Sequence, residues 1–301
     1  MSKAATIQGE KRGKTILTVV FTIIAIVYLL PIFLVLMNSF KANAYVNTET
    51  FALPNAESFV GVQNYIKGMT FGNYPFAKSV GYSLFITVVG TVINILLTML
   101  AAYALTRPNL VGKRILMVFF IIMMLFDPGI VPEYIVVREL KLMGSQWSVI
   151  LSQAMNVYYL IVMMRYFESV PHSLYEAALL DGAGHFRILF KIVGPLSKAG
   201  IATLTMFYGV ARWNEYYRSG IYISSIKKVP LQVILRKFVV DGDVTTLIGT
   251  QNLMDYNALA QIDYTALQYA TIIVSIIPIL LVYPLVLKFY TKNITAGGVK
   301  E

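Results

Sequence analysis

Uninterrupted apolar runs constrain this chain more than any other feature. From Thr15 to Met37 the sequence TILTVVFTIIAIVYLLPIFLVLM carries no charged side chain. At a helical rise of about 1.5 Å per residue, its ~23 residues reach across the roughly 30 Å hydrocarbon core of a bilayer. In lipid the backbone N–H and C=O groups find no water, so such a run is viable only as a helix that bonds to itself. Five further runs follow, at about 79 to 105, 115 to 136, 148 to 167, 201 to 220 and 267 to 290. Asp127, Pro128 and Pro132 interrupt the third, and Arg212, Asn214 and Glu215 the fifth. The expected fold class is all-α, a polytopic membrane protein with six transmembrane helices. Composition agrees, since 13% of residues are charged where soluble domains carry about 25%.

Several functions are excluded or disfavoured at this point. The basic leader Lys3, Lys11, Arg12 and Lys14 resembles a signal peptide's start, but the apolar run exceeds the roughly 7 to 15 residues of such a peptide and no small-residue cleavage site follows. Gly9 to Thr15, GEKRGKT, imitates a phosphate loop with three residues between its glycines, whereas the motif needs four and a preceding strand. The chain is therefore expected to bind no ATP itself. With no cysteine, disulfides and thiolate chemistry are excluded. His172 and His185 lie in one polar loop without an HExxH pattern, so no metal is expected. The net charge of +10 is spread over the flanks of apolar runs rather than gathered in a patch, which argues against nucleic acid.

Orientation follows from lysine and arginine near the ends of the spans. A cytoplasmic N-terminus places Lys3, Lys11, Arg12 and Lys14, then Arg107, Lys113 and Arg114, then Arg165, Arg187, Lys191 and Lys198, then Lys288, Lys292 and Lys300 on the inner side. Both termini are thus expected in the cytoplasm. The organisation is a tail over 1–14, a six-span domain over 15–290 that includes a cytoplasmic loop at 168–200, and a tail over 291–301. Two long outer loops, Asn38 to Lys78 and Ile221 to Ala266, are expected to be ordered. The first carries Phe51, Phe59, Tyr65, Phe71, Tyr74 and Phe76, and aromatic-rich loops of this length pack as caps or at the membrane interface.

The cytoplasmic loop contains SLYEAALLDGAGHFRILFKIVGP, Ser173 to Pro195. Ser173 followed three residues later by Glu176 has the pattern of a capping box, and Gly182 suits a left-handed helix end. Phe186, Leu189, Phe190 and Val193 recur at helical spacing with Arg187 and Lys191 opposite, which suggests a second helix lying on the membrane surface. Pro195 is expected to end it.

The positions of Glu176, Ala177, Ala178, Gly182, Ile192 and Pro195 resemble the EAA signature of ATP-binding-cassette importer permeases, with Gly194 standing where that family usually has leucine. AAYALTRP (Ala101 to Pro108), ESVPHSLYEAALLDGAG, RWNEYY (Arg212 to Tyr217), VPLQVILR (Val229 to Arg236) and KNITAGGVK are similar to the carbohydrate branch, in particular the smaller permease of maltose-type transporters. The resemblance implies a type I importer fold and a non-catalytic subunit, multi-pass in a bacterial cell (inner) membrane. It implies as partners a second permease in a heterodimer, two ATPase subunits that use ATP and Mg, an extracytoplasmic solute-binding protein, a carbohydrate substrate and the surrounding lipid. It also implies that the short helix enters a cleft on the ATPase, with Glu176 meeting a basic residue, Ala177, Ala178 and Leu179 filling the cleft, Gly182 permitting the tight exit, and Asp181, Ile192 and Pro195 also belonging to the coupling segment.

Ionisable groups inside a bilayer cost about 2.5 to 3.5 kcal/mol on insertion scales, so they face a pathway or a partner helix. Asp127, Glu133, Arg212 and Glu215 are of this kind, and Asn214 is a polar residue among them. Flat rings also stack on sugar faces. Asn156, Tyr159, Arg212, Trp213, Asn214 and Glu215 are therefore the candidate pathway residues, with Arg212 suited to an acidic sugar because a guanidinium pairs with carboxylate. Prolines 31, 128, 132, 278 and 284 would supply kinks. An ion-driven secondary transporter would need helix breaks repeated in two halves, an intramembrane hydrolase paired aspartates or a serine with its base, and neither pattern is present. An importer of a non-sugar solute is the remaining alternative.

Overall fold

The computed structural model describes residues 3–70, 76–242 and 265–297. Phe71, Tyr74, Lys300 and much of the second outer loop lie outside the described residues. The principal helices are α1 (Lys3–Ser39), α2 (Phe76–Thr106), α3 (Lys113–Leu125), α4 (Ile130–Glu139), α5 (Gln146–Ser152) and α6 (Val157–Glu168). They continue with α7 (His172–Leu180), α8 (His185–Leu196, whose middle is π-helical), α9 (Lys198–Trp213), α10 (Tyr217–Tyr222), α11 (Leu231–Leu235) and α12 (Thr265–Gly297). Among the described residues there is no β-strand, only one isolated antiparallel bridge, Lys41 with Phe59. The residues form two compact units, 1–74 with 248–276, and 75–247 with 277–301.

In the first unit, α1 starts at Lys3, so the basic leader is helical and continuous with the apolar run. Beyond α1 the chain folds into an ordered cap. The Asn64 amide donates to the carbonyls of Ser39 and Lys41, both at 2.8 Å. Lys41, buried, donates to the Glu49 carbonyl. Phe40 packs between Phe59 and Tyr65, and Tyr65 is hydrogen-bonded to Ser39 at 2.6 Å. Burial pushes the Tyr65 hydroxyl above its ordinary pKa, and the Ser39 bond only partly offsets this. Of the described aromatic residues of the first outer loop, Phe59 and Tyr65 thus pack in this cap, whereas Phe51 is exposed and Phe76 begins α2.

The second unit is built on α2, which packs most extensively against α9 and α6. Its core joins Met99, Ala102 and Tyr103 of α2 to Met163 and Phe167 of α6 and to Leu204 of α9. Small residues allow the close approaches. A Cβ on Gly200 would come within 2.3 Å of the Tyr166 ring, and one on Gly90 within 3.0 Å of Arg212 Nε.

Two helices, over Gly13–Ser39 and Phe76–Thr106, are each long and apolar enough to cross a bilayer. The third expected span is not one helix, because α3 and α4 meet at 117°. Pro128 disfavours helical backbone at Asp127, Gly129 takes φ +78°, and its N–H donates to Asp127 Oδ1 at 2.8 Å. The fourth expected span is likewise a bent pair, α5 and α6 at 55°, and the fifth begins after an 87° bend between α8 and α9. Pro31, Pro278 and Pro284 lie inside continuous helices, whereas Pro132 occupies the first turn of α4, where a missing N–H costs little.

Candidate functional site

The segment Ser173 to Pro195 is two helices, as its sequence predicts, but their ends differ from the expected ones. α7 begins at His172 after Pro171, and Ser173 makes no capping bond. Glu176 instead reaches back one turn to His172 Nδ1 at 3.1 Å. Proline fixes φ at the helix entry, so the backbone turns without a hydroxyl cap. The other end matches expectation. Gly182 has φ +73°, its N–H bonds the Leu179 carbonyl at 3.0 Å, and the Ala183 N–H bonds that of Ala178 at 2.9 Å. These two bonds make a Schellman motif, which satisfies carbonyls that a helix end leaves open.

α7 is anchored on one side and bare on the other. Ala178 is buried against the core, whereas Ala177 and Leu179 are exposed. Glu176 and Asp181 are exposed, as is Leu180 at 89%. Tyr175 is the second anchor. The Arg107 guanidinium, at the end of α2, lies between the rings of Tyr103 and Tyr175, at 4.5 and 4.3 Å from their centroids. Tyr103 is also hydrogen-bonded to His185 at 3.1 Å. This clamp was not foreseen: AAYALTRP contains Tyr103 and Arg107, and the Ser173 to Pro195 segment contains Tyr175 and His185, but nothing in the sequence pairs the two segments. A cavity of about 540 Å³ opens beside it.

α8 departs further from the expected amphipathic helix. Ile188, Leu189 and Val193 are buried, whereas Phe186 and Phe190 are exposed. The π turn over Leu189–Val193 inserts extra backbone and shifts the buried stripe. The helix runs through Pro195 to Leu196, because the wider turn allows for the absent proline N–H. Gly194 sits where this turn closes. A Cβ there would lie 2.9 Å from the Leu189 carbonyl oxygen, so the residue that departs from the EAA pattern is the one this backbone requires.

The six candidate pathway residues do not form one site. Asn156 caps α6 by accepting from the Tyr159 N–H at 3.1 Å. Tyr159, half-buried, stacks on Phe207 and meets Tyr208 edge-on at 4.8 Å. Tyr208 accepts from the Asn156 N–H at 3.0 Å and is hydrogen-bonded to Thr98 at 2.9 Å. Trp213 is buried, Asn214 donates to the Val210 carbonyl of its own helix, and Glu215 accepts from the Arg218 and Ser219 N–H groups at the start of α10. Arg218 in turn pairs with Glu133 of α4 at 2.8 Å, a bridge between residues too far apart in sequence for spacing to suggest it.

Arg212 is placed differently from the acidic-sugar contact considered above. It is buried, and its donors are engaged within the fold. Nε donates to Asn94 Oδ1 at 2.9 Å, Nη1 to the Val149 carbonyl at 2.8 Å, and Nη2 to the Ile150 and Gln153 carbonyls at 2.9 and 2.7 Å. The carbonyls at the end of α5 have no helical partners, and leaving them open away from water is costly. Arg212 thus holds the α5/α6 break together.

No protein-family model matches the chain. It is 35% identical over 277 residues to the polygalacturonan/rhamnogalacturonan transport system permease protein YtcP of Bacillus subtilis, an alignment covering 92% of this chain and 94% of that relative. It is 26% identical over 283 residues to the diacetylchitobiose uptake system permease protein NgcG of Streptomyces coelicolor, covering 93% and 86% respectively. Among solved structures, a chain of a bacterial ABC transporter involved in the import of the acidic polysaccharide alginate is similar with a TM-score of 0.82 and 30% identity, over 96% of this chain and 99% of that one.

Proposed function

The chain belongs to the carbohydrate permeases of ATP-binding-cassette transporters, and we propose that it forms half of the translocation pathway of an importer, coupled through α7 to a cytoplasmic ATPase. As a permease subunit it is non-catalytic. Its partners on this reading are a second permease, two ATPase subunits that bind ATP and Mg, and an extracytoplasmic solute-binding protein. Six crossings would be made by α1, α2, the α3/α4 pair, the α5/α6 pair, α9 with α10, and α12, with both termini in the cytoplasm of a multi-pass protein in the bacterial cell membrane. The distribution of lysine and arginine supports that orientation.

The observation that carries the coupling role is the two-sided character of α7. A helix of 9 residues is too short to be stable alone in water, yet here one flank is held by Ala178 in the core and by the Arg107 stack on Tyr175. The other flank presents Glu176, Ala177, Leu179 and Leu180. Closure of the ATPases would push this flank, and the anchors would pass the push to α2 and α8, rocking the spans between inward-facing and outward-facing states. Asp181 and Gly182 end the pushed helix, and Ile192 and Pro195 belong to the α8 segment beneath it. Asn156, Tyr159, Trp213, Asn214 and Glu215 remain pathway candidates, with Arg212 acting behind them as a scaffold.

Polygalacturonan and alginate appear in the names of two of the similar proteins, so an acidic oligosaccharide is the first substrate to test. Affinity purification of the tagged chain from solubilised membranes is expected to recover an ATP-binding-cassette ATPase and a second permease. Recovery of neither, under conditions that keep the chain monodisperse, would contradict the reading.

A further inference from the structure

We propose that the cavity between α10 and the π turn that follows α11 is a binding site for an anionic sugar ring. It has a volume of about 330 Å³, at the small end of the roughly 300 to 1,000 Å³ of ligand pockets, which suits one saccharide ring better than a chain. Tyr216 and Tyr217 line it and are 41% and 51% exposed. Arg236, Lys237 and Asp241 complete the polar lining, so two cations stand against one carboxylate. That excess of positive charge selects an anion, and the exposed phenol rings supply the flat apolar surface that a sugar face covers.

The cation is held in position before any ligand arrives. The Arg236 guanidinium lies over the Tyr216 ring, 5.4 Å from its centroid, and Nη1 donates to Tyr216 Oη at 3.5 Å. Its Nε is 3.5 Å from Asp241 Oδ1. A guanidinium has five N–H donors in a planar fork, so these contacts orient it while leaving capacity for a carboxylate. The π turn over Arg236–Val240 is anchored by buried Phe238 and sets Arg236 and Lys237 side by side. Such turns occur often at functional positions.

This inference rests on the permease reading, which sets α10 at the outer end of the fifth crossing. α9 has 16 residues, about 24 Å of helix, and separates the pocket from α8. Solute delivered from outside would meet Tyr216 and Arg236 first. The anion-selective role considered for Arg212 belongs on this reading to Arg236 and Lys237, whose charges face a cavity.

The test uses the assembled transporter in nanodiscs of zwitterionic lipid, without its binding protein, and equilibrium dialysis against galacturonate and its methyl ester. The two ligands share a shape and differ in charge. The acid is expected to bind about tenfold more tightly than the ester at low salt. The Arg236→Gln/Lys237→Gln variant is expected to lose that preference, its affinity for the acid falling to that for the ester, while residual binding of the ester reports an intact pocket. Tyr216→Ala is expected to weaken both ligands. Equal binding of acid and ester by the wild type, binding of neither, or a preference that survives the double variant would overturn the site. ATP-driven sugar uptake, measured in parallel in proteoliposomes, keeps the readings apart. Its presence with no acid preference overturns the pocket alone, and its absence for every carbohydrate tried contradicts the permease reading.

Discussion

At the scale of single residues, Arg212 separates what sequence and structure each contribute. The sequence marks it as a cation inside an apolar run, which calls for a partner. It does not say which, because Asn94 and the carbonyls of α5 lie 118 and some 60 positions away. Arg212→Lys keeps the charge but cannot span those acceptors with one ammonium. Each buried group left unpaired costs about 1 to 3 kcal/mol. The variant is therefore expected to lower the thermal unfolding temperature of the purified complex without changing which sugars stimulate it. A changed sugar preference with unchanged stability would return Arg212 to the pathway. Gly200→Ala is the steric counterpart, since the new methyl would overlap the Tyr166 ring. Overpacking of this kind costs about 1 to 3 kcal/mol. The same melting experiment should show the loss, with partial recovery when Tyr166→Ser is added.

At the scale of elements, apolar runs located the long helices but not the short ones over Gln63–Thr70 and Leu231–Leu235, while backbone irregularities set their ends and faces. Asp127-Pro-Gly was visible as a breaker and accounts for the α3/α4 corner. The π turn of α8 was not visible, because a period of 3.6 residues cannot register one inserted residue; Phe186, Leu189, Phe190 and Val193 read as one membrane-facing stripe, whereas Leu189 and Val193 pack in the core and Phe186 and Phe190 stay exposed. Ser173 and Glu176 matched a capping box whose role Pro171 fills. Gly182 was read correctly because few residues tolerate positive φ at a helix end. Gly182→Val is expected to weaken the end of α7 by about 1 to 2 kcal/mol. Its main effect should be fewer sugars moved per ATP hydrolysed, with global melting little altered. Gly194→Leu, which introduces the residue usual in the family, is expected to destabilise α8, because its Cβ meets the Leu189 carbonyl. Unchanged stability of that variant would show that the π turn rewinds readily.

At the scale of the whole molecule, the all-helical fold and the membrane class were readable from apolar runs alone, since lipid leaves few alternatives. The contacts that join the helices were not, because the Arg107 clamp, the Arg218–Glu133 bridge and the Arg212 hub connect residues with no fixed spacing. The proposed orientation is open to a simple check, as the chain has no cysteine to give background labelling. In intact cells a membrane-impermeant maleimide is expected to label cysteines placed at Phe51 or Val240 and to spare one at Asp181; the reverse pattern would invert the topology. The most direct test of coupling through α7 is the Glu176→Lys variant of the assembled transporter in proteoliposomes, assayed for ATP hydrolysis and sugar uptake together. Uptake should fall at least about tenfold while the ATPases still hydrolyse ATP and α7 remains folded, whereas wild-type uptake per ATP would contradict coupling at this helix.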